Sequence, residues 1–306
     1  MKTHSLTISL LCSALVAGAA ELHVGEGQEF AKPSKAAKAA QDGDTIVIHA
    51  GRYAHNVCAW TANNLVIRGE GADQVILDSE GRTYGEKGIW VISGTNVVVE
   101  GITFCGAACD SKNGSGIRLE PSATDFTVRS CIFRNNENGI LCGPIPGTVT
   151  VEYCEFAYNG HGDGYSHNIY IGHVDKLVFR YNVSHHAKSG HDLKSRAKVS
   201  IVEGCRFDDG ETGESSYLAD FPNGGKVDVK NCVFVQSPLE GFNDGMVTFG
   251  LEGNLHPNSE FEFEDNVLVN KRKDGGRFIT VRGIDKDAMD IDENRFTGPG
   301  EHIVCD

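Results

Sequence analysis

Ser130-Cys-Ile-Phe-Arg-Asn135 returns, slightly altered, as Tyr153-Cys-Glu-Phe-Ala-Tyr-Asn159, Gly204-Cys-Arg-Phe207 and Asn231-Cys-Val-Phe234. Asparagine takes the place of cysteine in Tyr181-Asn-Val183, Asp265-Asn-Val-Leu268 and Glu293-Asn-Arg-Phe296, and Gly101-Ile-Thr-Phe104 opens the series. Counted from residue 101, the intervals are 30, 23, 28, 23, 27, 34 and 28 residues. Self-similarity on that scale marks a solenoid, in which each unit buries its apolar face only by stacking on its neighbours. A β-branched run precedes each Cys or Asn, as in Val97-Val-Val99, Val149-Thr-Val151 and Val227-Asp-Val229. Such alternation, punctuated by Gly and Asn, reads as short strands joined by tight turns. The period is too short for a propeller blade, and leucines do not recur at fixed spacing. The expected fold is therefore all-β, a right-handed parallel β-helix solenoid.

Stacked coils bring equivalent side chains about 4.8 Å apart. Asn at the repeated turn is then expected to form an amide ladder, and Cys131, Cys154, Cys205 and Cys232 to be buried thiols acting as small hydrophobes. Cys105 and Cys109 flank a tight loop and are the candidate disulfide; Cys58, Cys142 and Cys305 receive no assignment.

The first residues, with Lys2, an apolar run from Leu6 to Val16 and Ala17-Gly-Ala-Ala20, have the layout of a secretory signal peptide. The apolar run is too short to span a bilayer, and no later segment approaches that length. The expectation is a leader at 1–20, a single β-helix domain at 21–306, and a secreted or periplasmic monomer. Net charge is −14, and loss of Lys2 with the leader would make it −15. So acidic a surface argues against nucleic acid, whose phosphates need a basic face.

Chemistry-bearing residues concentrate in one region. Six of the twelve histidines lie between 161 and 191, three of them within Gly164-Tyr-Ser-His-Asn-Ile-Tyr-Ile-Gly-His173 and Gly190-His-Asp-Leu-Lys-Ser-Arg196. Gly116-Ile-Arg-Leu119, Gly139-Ile-Leu141, Asn168-Ile-Tyr-Ile171 and Asp192-Leu-Lys-Ser195 align as one recurring strand. With Ile117, Ile140, Ile169 and Leu193 inward, alternation sends Arg118, Leu141, Tyr170 and Lys194 outward. Lys194 and Arg196 then share the solvent face about 7 Å apart, with Tyr170 one coil away. Lys194, Arg196, Tyr170, His191 and His167 are the candidate catalytic residues. Asn168, His185, His186, Asp192, Asp220, Asn223 and Arg118 are candidate substrate contacts. His167 and His191 also have inward parity and can instead cap a turn. His161, His185, His186 and His191 offer imidazoles to a metal, but no HExxH-like spacing exists and adjacent strand residues face opposite ways. No metal set is assigned.

Pro33-Ser-Lys-Ala-Ala-Lys-Ala-Ala40 reads as a short amphipathic helix, followed by a strand at Gly43-Asp-Thr-Ile-Val-Ile48. This resembles the capping helix and first coil of pectate-lyase-like β-helix proteins, a resemblance in architecture that covers the chain from residue 21 onward. Gly190-His-Asp-Leu-Lys-Ser195 is similar to a Gly…Lys-Ser strand of alginate and chondroitin lyases. The resemblance implies an exported polysaccharide lyase with Lys194 as base. Those lyases take their acid arginine from a neighbouring coil, whereas Arg196 is on the same strand, and their calcium-binding Asn and Glu have no counterpart assigned here.

The implied reaction is β-elimination from an acidic, uronate-containing polysaccharide. It needs neutralisation of the C6 carboxylate, removal of the C5 proton and protonation of the leaving O4. Arg196 or calcium can neutralise, Lys194 can act as base beside Arg196 and beneath substrate, and Tyr170 or His191 can act as acid. A local basic stripe sets the field in a groove even on an acidic protein. The alternatives are a C5-epimerase sharing the proton-abstraction step, a non-catalytic carbohydrate-binding protein, and a glycoside hydrolase. The last needs two outward carboxylates, for which the region offers Asp163, Asp175 and Asp192.

Overall fold

The computed structural model describes residues 18–239 and 243–305. All but the last three residues of the expected leader lie outside the described residues. From Glu21 onward each coil gives one strand to each of three parallel sheets, of 11, 10 and 10 strands. The first sheet runs from Glu21–Val24 to Met289–Asp290, the second from Gly51–Arg52 to Arg295–Thr297, and the third from Cys58–Trp60 to Glu301–Cys305. This is the all-β parallel β-helix that the repeat predicts.

A seven-residue helix, Pro33–Ala39, begins with Pro33 in its first turn and buries Pro33, Ala36 and Ala37. Proline suits that position because its missing N–H would have had no intrahelical partner. The helix is the expected cap, placed against the apolar end that a solenoid cannot otherwise cover.

Parallel, in-register stacking aligns the inward side chains. Phe104, Phe133 and Phe156 stack face to face with ring centroids 5.1 and 4.9 Å apart, close to the strand spacing. Phe207 and Phe234 repeat this at 4.9 Å. The repeated Phe is therefore the interior aromatic of most coils from Gly101 onward, with Ser184 and Leu268 taking its register position in two.

The turn before each repeated Cys or Asn uses one left-handed residue. φ is 51° at Ser130, 54° at Tyr153, 56° at Tyr181 and 57° at Asn231. Non-glycine residues seldom adopt this conformation, so its recurrence reflects a corner that every coil must make. At Gly204 a side chain would also collide, since an added Cβ would lie 2.7 Å from the Tyr181 ring.

The Cys and Asn beyond the corner form the expected ladder. Asn182 Oδ1 accepts the Cys154 N–H at 2.8 Å, and Asn182 Nδ2 donates to the Val151 carbonyl at 2.9 Å. Asn266 repeats both contacts, with Cys232 and Val229. Where cysteine stands, sulfur accepts instead: Cys205 Sγ from Asn182 N–H at 3.5 Å and Cys232 Sγ from Cys205 N–H at 3.4 Å. Cys131, Cys154, Cys205 and Cys232 are buried free thiols. Cys105 and Cys109 are also free, which corrects the disulfide expectation. Their thiols have separate surroundings: Cys105 is buried on a strand, while Cys109 Sγ lies 3.3 Å from Ser111 Oγ. Cys58 and Cys142 are buried and Cys305 exposed, all three free. Among the described residues no helix is long and apolar enough to cross a membrane.

Candidate active site

The third sheet carries the site. Its register places Arg118, Leu141, Tyr170, Lys194, Asp220 and Thr248 in one column, one residue per coil. Ile169, Ile171, Leu193 and Ser195 are fully buried on the opposite parity, so the outward assignment of Tyr170 and Lys194 follows from simple alternation. The coils at 166 and 190 meet tightly. A Cβ on Gly190 would lie 1.8 Å from the Ser166 carbonyl oxygen, so only glycine fits there.

Lys194 Nζ donates to Glu252 Oε1 at 2.7 Å and lies 3.1 Å from Asp220 Oδ2. Two residues on, Arg196 spreads its guanidinium over three partners. Nε donates to the Tyr170 hydroxyl oxygen at 2.9 Å, Nη1 to Asn223 Oδ1 at 2.6 Å, and Nη2 meets Glu252 Oε2 at 2.7 Å. One carboxylate, that of Glu252, thus bridges both cations. Asn223 Nδ2 donates to the Gly253 carbonyl at 2.9 Å and ties the same loop down. Thr248 Oγ1 donates to Asp220 Oδ1 at 2.7 Å.

Two recesses of about 440 and about 500 Å³ open on either side of this cluster. Both are lined by Gly164, Tyr165, Lys194 and Glu252. Lys194 and Glu252 therefore sit mid-groove, and Tyr165, 87% exposed, stands on the rim. Asp163 Oδ1 fixes the rim turn by accepting from the backbone N–H groups of Tyr165 and Ser166.

His167 and His191 form part of the groove floor, His191 lining one recess and His167 the other. Both are buried, their rings stack at 4.6 Å, and His167 Nδ1 accepts the His191 N–H at 3.0 Å. His191 Nε2 is 3.5 Å from Asp220 Oδ2. Burial, then the positive charge of Lys194, push His167 down to about 3. Burial, His167 and the two cations likewise hold His191 well below the ordinary imidazole range. Both rings stay neutral, so neither supplies an imidazolium proton. Burial raises the Asp220 carboxyl, although Lys194 works against it. Burial would also raise Glu252, yet its hydrogen bonds from Lys194 and Arg196 prevail and hold it below the usual carboxylate range.

A neutral buried histidine makes stability depend on pH. Folded His167 binds a proton less readily than the unfolded chain, so its contribution is full above about pH 6.5 and fades as pH falls toward 3. At pH 5 the loss is on the order of 2 kcal/mol. The raised carboxyls of Asp192, Asp209 and Asp220 act in the opposite sense, so the comparison must be with a variant. His167→Gln is expected to lose less stability than the parent between pH 7 and pH 5 in thermal melts, and parallel losses would refute the assignment.

Four expected contacts are placed elsewhere. Asn168 and Asp192 have no exposure and belong to an interior ladder. Asn136 Nδ2 donates to Asn159 Oδ1, Asn159 Nδ2 to Asn168 Oδ1, and Asn168 Nδ2 to Asp192 Oδ1, at 3.0, 2.9 and 2.7 Å. Burial and the nearby Asp209 push the Asp192 carboxyl up. His185 and His186 sit at the end of a second-sheet strand, their Nδ1 atoms 2.9 Å apart, and line neither recess. These four side chains are therefore not groove contacts. Arg118 holds the expected column but stands two coils from Tyr170, near Glu120 at 3.5 Å. Glu252, Tyr165 and Tyr217 line the groove without having been anticipated.

Among the described residues, no three His, Cys, Asp or Glu side chains are arranged to hold a metal. The two carboxylates at the centre, Asp220 and Glu252, both face the Lys194 ammonium, which occupies the place a calcium ion would need between them. The donor set does not fit calcium, and the cations that can face a substrate carboxylate are Lys194 and Arg196.

No protein-family profile matches this chain, and no curated protein sequence matches it. Solved structures do. An alginate lyase from Paenibacillus sp. str. FPU-7 is similar over 93% of this chain and 98% of its own, at 12% identity and a TM-score of 0.54. A pectin methylesterase from carrot is similar over 99% and 85%, at 11% identity and a TM-score of 0.44. One from Erwinia chrysanthemi is similar over 87% and 79%, at 10% identity and a TM-score of 0.41. At such identity the likeness to the alginate lyase establishes the shared fold.

Proposed function

We propose that this chain is an exported polysaccharide lyase that binds an acidic polysaccharide across the third sheet and cleaves it by β-elimination. The observation that carries this reading is the Lys194–Arg196 pair, mid-groove and already bridged by a carboxylate. The pair is a carboxylate receptor by construction, and a uronate is the sugar that brings a carboxylate next to an acidic carbon. The similar alginate lyase structure is consistent with this chemistry.

In this scheme Arg196 faces the uronate carboxylate and stabilises the charge that develops as the C5 proton leaves. Lys194 is the base. Its ammonium proton leaves first, to water in the open groove before substrate covers the amine, and Asp220, 3.1 Å away, holds the side chain in place. The C5–H electron pair becomes the C4=C5 double bond as the C4–O4 bond breaks. Tyr170 gives O4 its proton; the hydrogen bond from Arg196 uses the hydroxyl oxygen as acceptor and leaves its own O–H free to donate. The neutral histidines are not the acid.

A second reading has one observation in its favour. Asp220 and Glu252 are two carboxyl groups on one groove, one raised and one lowered, and such divergence is how glycosidases separate acid from nucleophile. A panel of uronic-acid polymers separates the two readings. The lyase yields ultraviolet-absorbing unsaturated ends in step with new reducing ends, whereas reducing ends without absorbance indicate hydrolysis.

A further inference from the structure

Glu252 has no role in the elimination scheme, yet it occupies the centre of the groove. Its side chain is 46% exposed while those of Lys194 and Arg196 are 10% and 16% exposed. It approaches from a loop 58 residues after Lys194, between left-handed Gly250 and Gly253. Neither cation depends on it alone for a polar partner. Lys194 keeps Asp220, and Arg196 keeps Tyr170 and Asn223, if Glu252 turns away. A carboxylate spanning a lysine and an arginine at 2.7 Å each is the geometry a bound uronate would adopt.

We propose that Glu252 is a built-in competitor: its carboxylate fills the uronate-carboxylate subsite of Lys194 and Arg196 in the free protein, and an acidic sugar binds by displacing it. The proposal rests on the acidic-polysaccharide reading and adds a selectivity device. A neutral sugar cannot match the two charge-assisted hydrogen bonds lost when Glu252 leaves, so it does not open the site. An anionic one replaces them in kind. The cost is affinity, because ligand binds only the fraction of molecules whose subsite is vacated. If Glu252 is seated about nine-tenths of the time, affinity falls about tenfold. Turning aside requires only side-chain torsions, since the Glu252 N–H is held by the Pro222 carbonyl at 3.1 Å whatever the rotamer.

The test is direct binding of galacturonate and glucuronate, with methyl glucoside as the neutral probe, followed by NMR titration. Glu252→Gln is expected to bind both uronates about tenfold more tightly than the parent and to leave methyl glucoside unchanged. Glu252→Asp keeps the charge but is one methylene too short to span both cations, so an intermediate gain is expected. Asp244→Asn, a charge removal beside Arg277 and outside both recess linings, is expected to give no comparable gain. Uronate binding that is unchanged or weaker in Glu252→Gln, or a gain matched by Asp244→Asn, overturns the proposal. Thermal unfolding of each variant confirms that the site is intact. The readout does not depend on turnover. Tighter uronate binding without cleavage of any polymer would sink the lyase reading alone, and cleavage with unchanged binding would sink this one alone.

Discussion

Lys194→Ala is expected to lower turnover of the cognate uronic-acid polymer by about a thousandfold, within the range attributed to a positioned general base. The loss should fall mainly on kcat, with a several-fold rise in KM, because Arg196 keeps only one of the two contacts to the substrate carboxylate while Glu252 loses one of its own. Removing the ammonium leaves Asp220 buried opposite a void, which by itself destabilises the coil. The double variant Lys194→Ala with Asp220→Asn removes that complication: it should fold as well as the parent and remain as inactive as the single variant. Unsaturated product should vanish in both. Activity retained within tenfold in a folded variant would eliminate Lys194 as base. If cleavage continues with saturated ends, the Asp220–Glu252 pair becomes the catalytic one. If instead only binding weakens and no product ever forms, the groove is a recognition surface.

Asn159→Leu is expected to be the most damaging substitution outside the groove. Asn159 is fully buried. Its Nδ2 donates to the Phe133 carbonyl at 2.9 Å and to Asn168 Oδ1 at 2.9 Å, while its Oδ1 accepts from the Asn136 N–H and Nδ2 at 3.0 Å each. Leucine is close in volume, so little cavity cost enters. It leaves the Phe133 carbonyl and the Asn136 N–H without this partner in an interior that water does not reach, and takes one hydrogen bond from each neighbouring amide, which keep the Phe104 carbonyl and the residue-159 N–H. Each orphaned group costs about 1–3 kcal/mol, giving a destabilisation of about 4 kcal/mol. Denaturant unfolding measures it, and a change under 1 kcal/mol would mean that the ladder is not structural. Because each coil contacts only its neighbours, the damage should spread to the coils bearing Ser166 and Asp192, and activity should fall before the whole molecule unfolds.

The repeat made the coils legible because stacking turns sequence recurrence into spatial adjacency. The positions of Cys131, Cys154, Asn182, Cys205, Cys232 and Asn266 recur at one corner, so one ladder could be read directly from their spacing. The second ladder escaped because its members are less uniform. Asn136, Asn159 and Asn168 are followed by Asp192 and Ser215, and the last steps change residue type to keep the hydrogen bonds running. That is why Asn168 and Asp192 resembled site residues: a polar side chain beside Tyr170 or Lys194 looks the same in sequence whether it faces solvent or the turn interior. Alternation fixes direction only within a strand, and these two lie just before theirs begin. Adjacent His185 and His186 misled for the same reason, since proximity in sequence to residue 191 carried them to a different sheet.

By itself the sequence determined the solenoid, its cap, the interior phenylalanines and the outward column containing Tyr170 and Lys194. All of these follow from periodicity, because a side chain's face and neighbours are set by its place in a regular repeat. Only the tertiary structure decided which groups complete the site. Glu252 reaches Lys194 across 58 residues, and Tyr165 reaches the rim from a loop of irregular length. Loops have no period, so the meeting of a loop carboxylate with two strand cations is fixed by packing alone. The same packing sets the charge states, burying Asp220 and both histidines while leaving Glu252 open enough to be displaced.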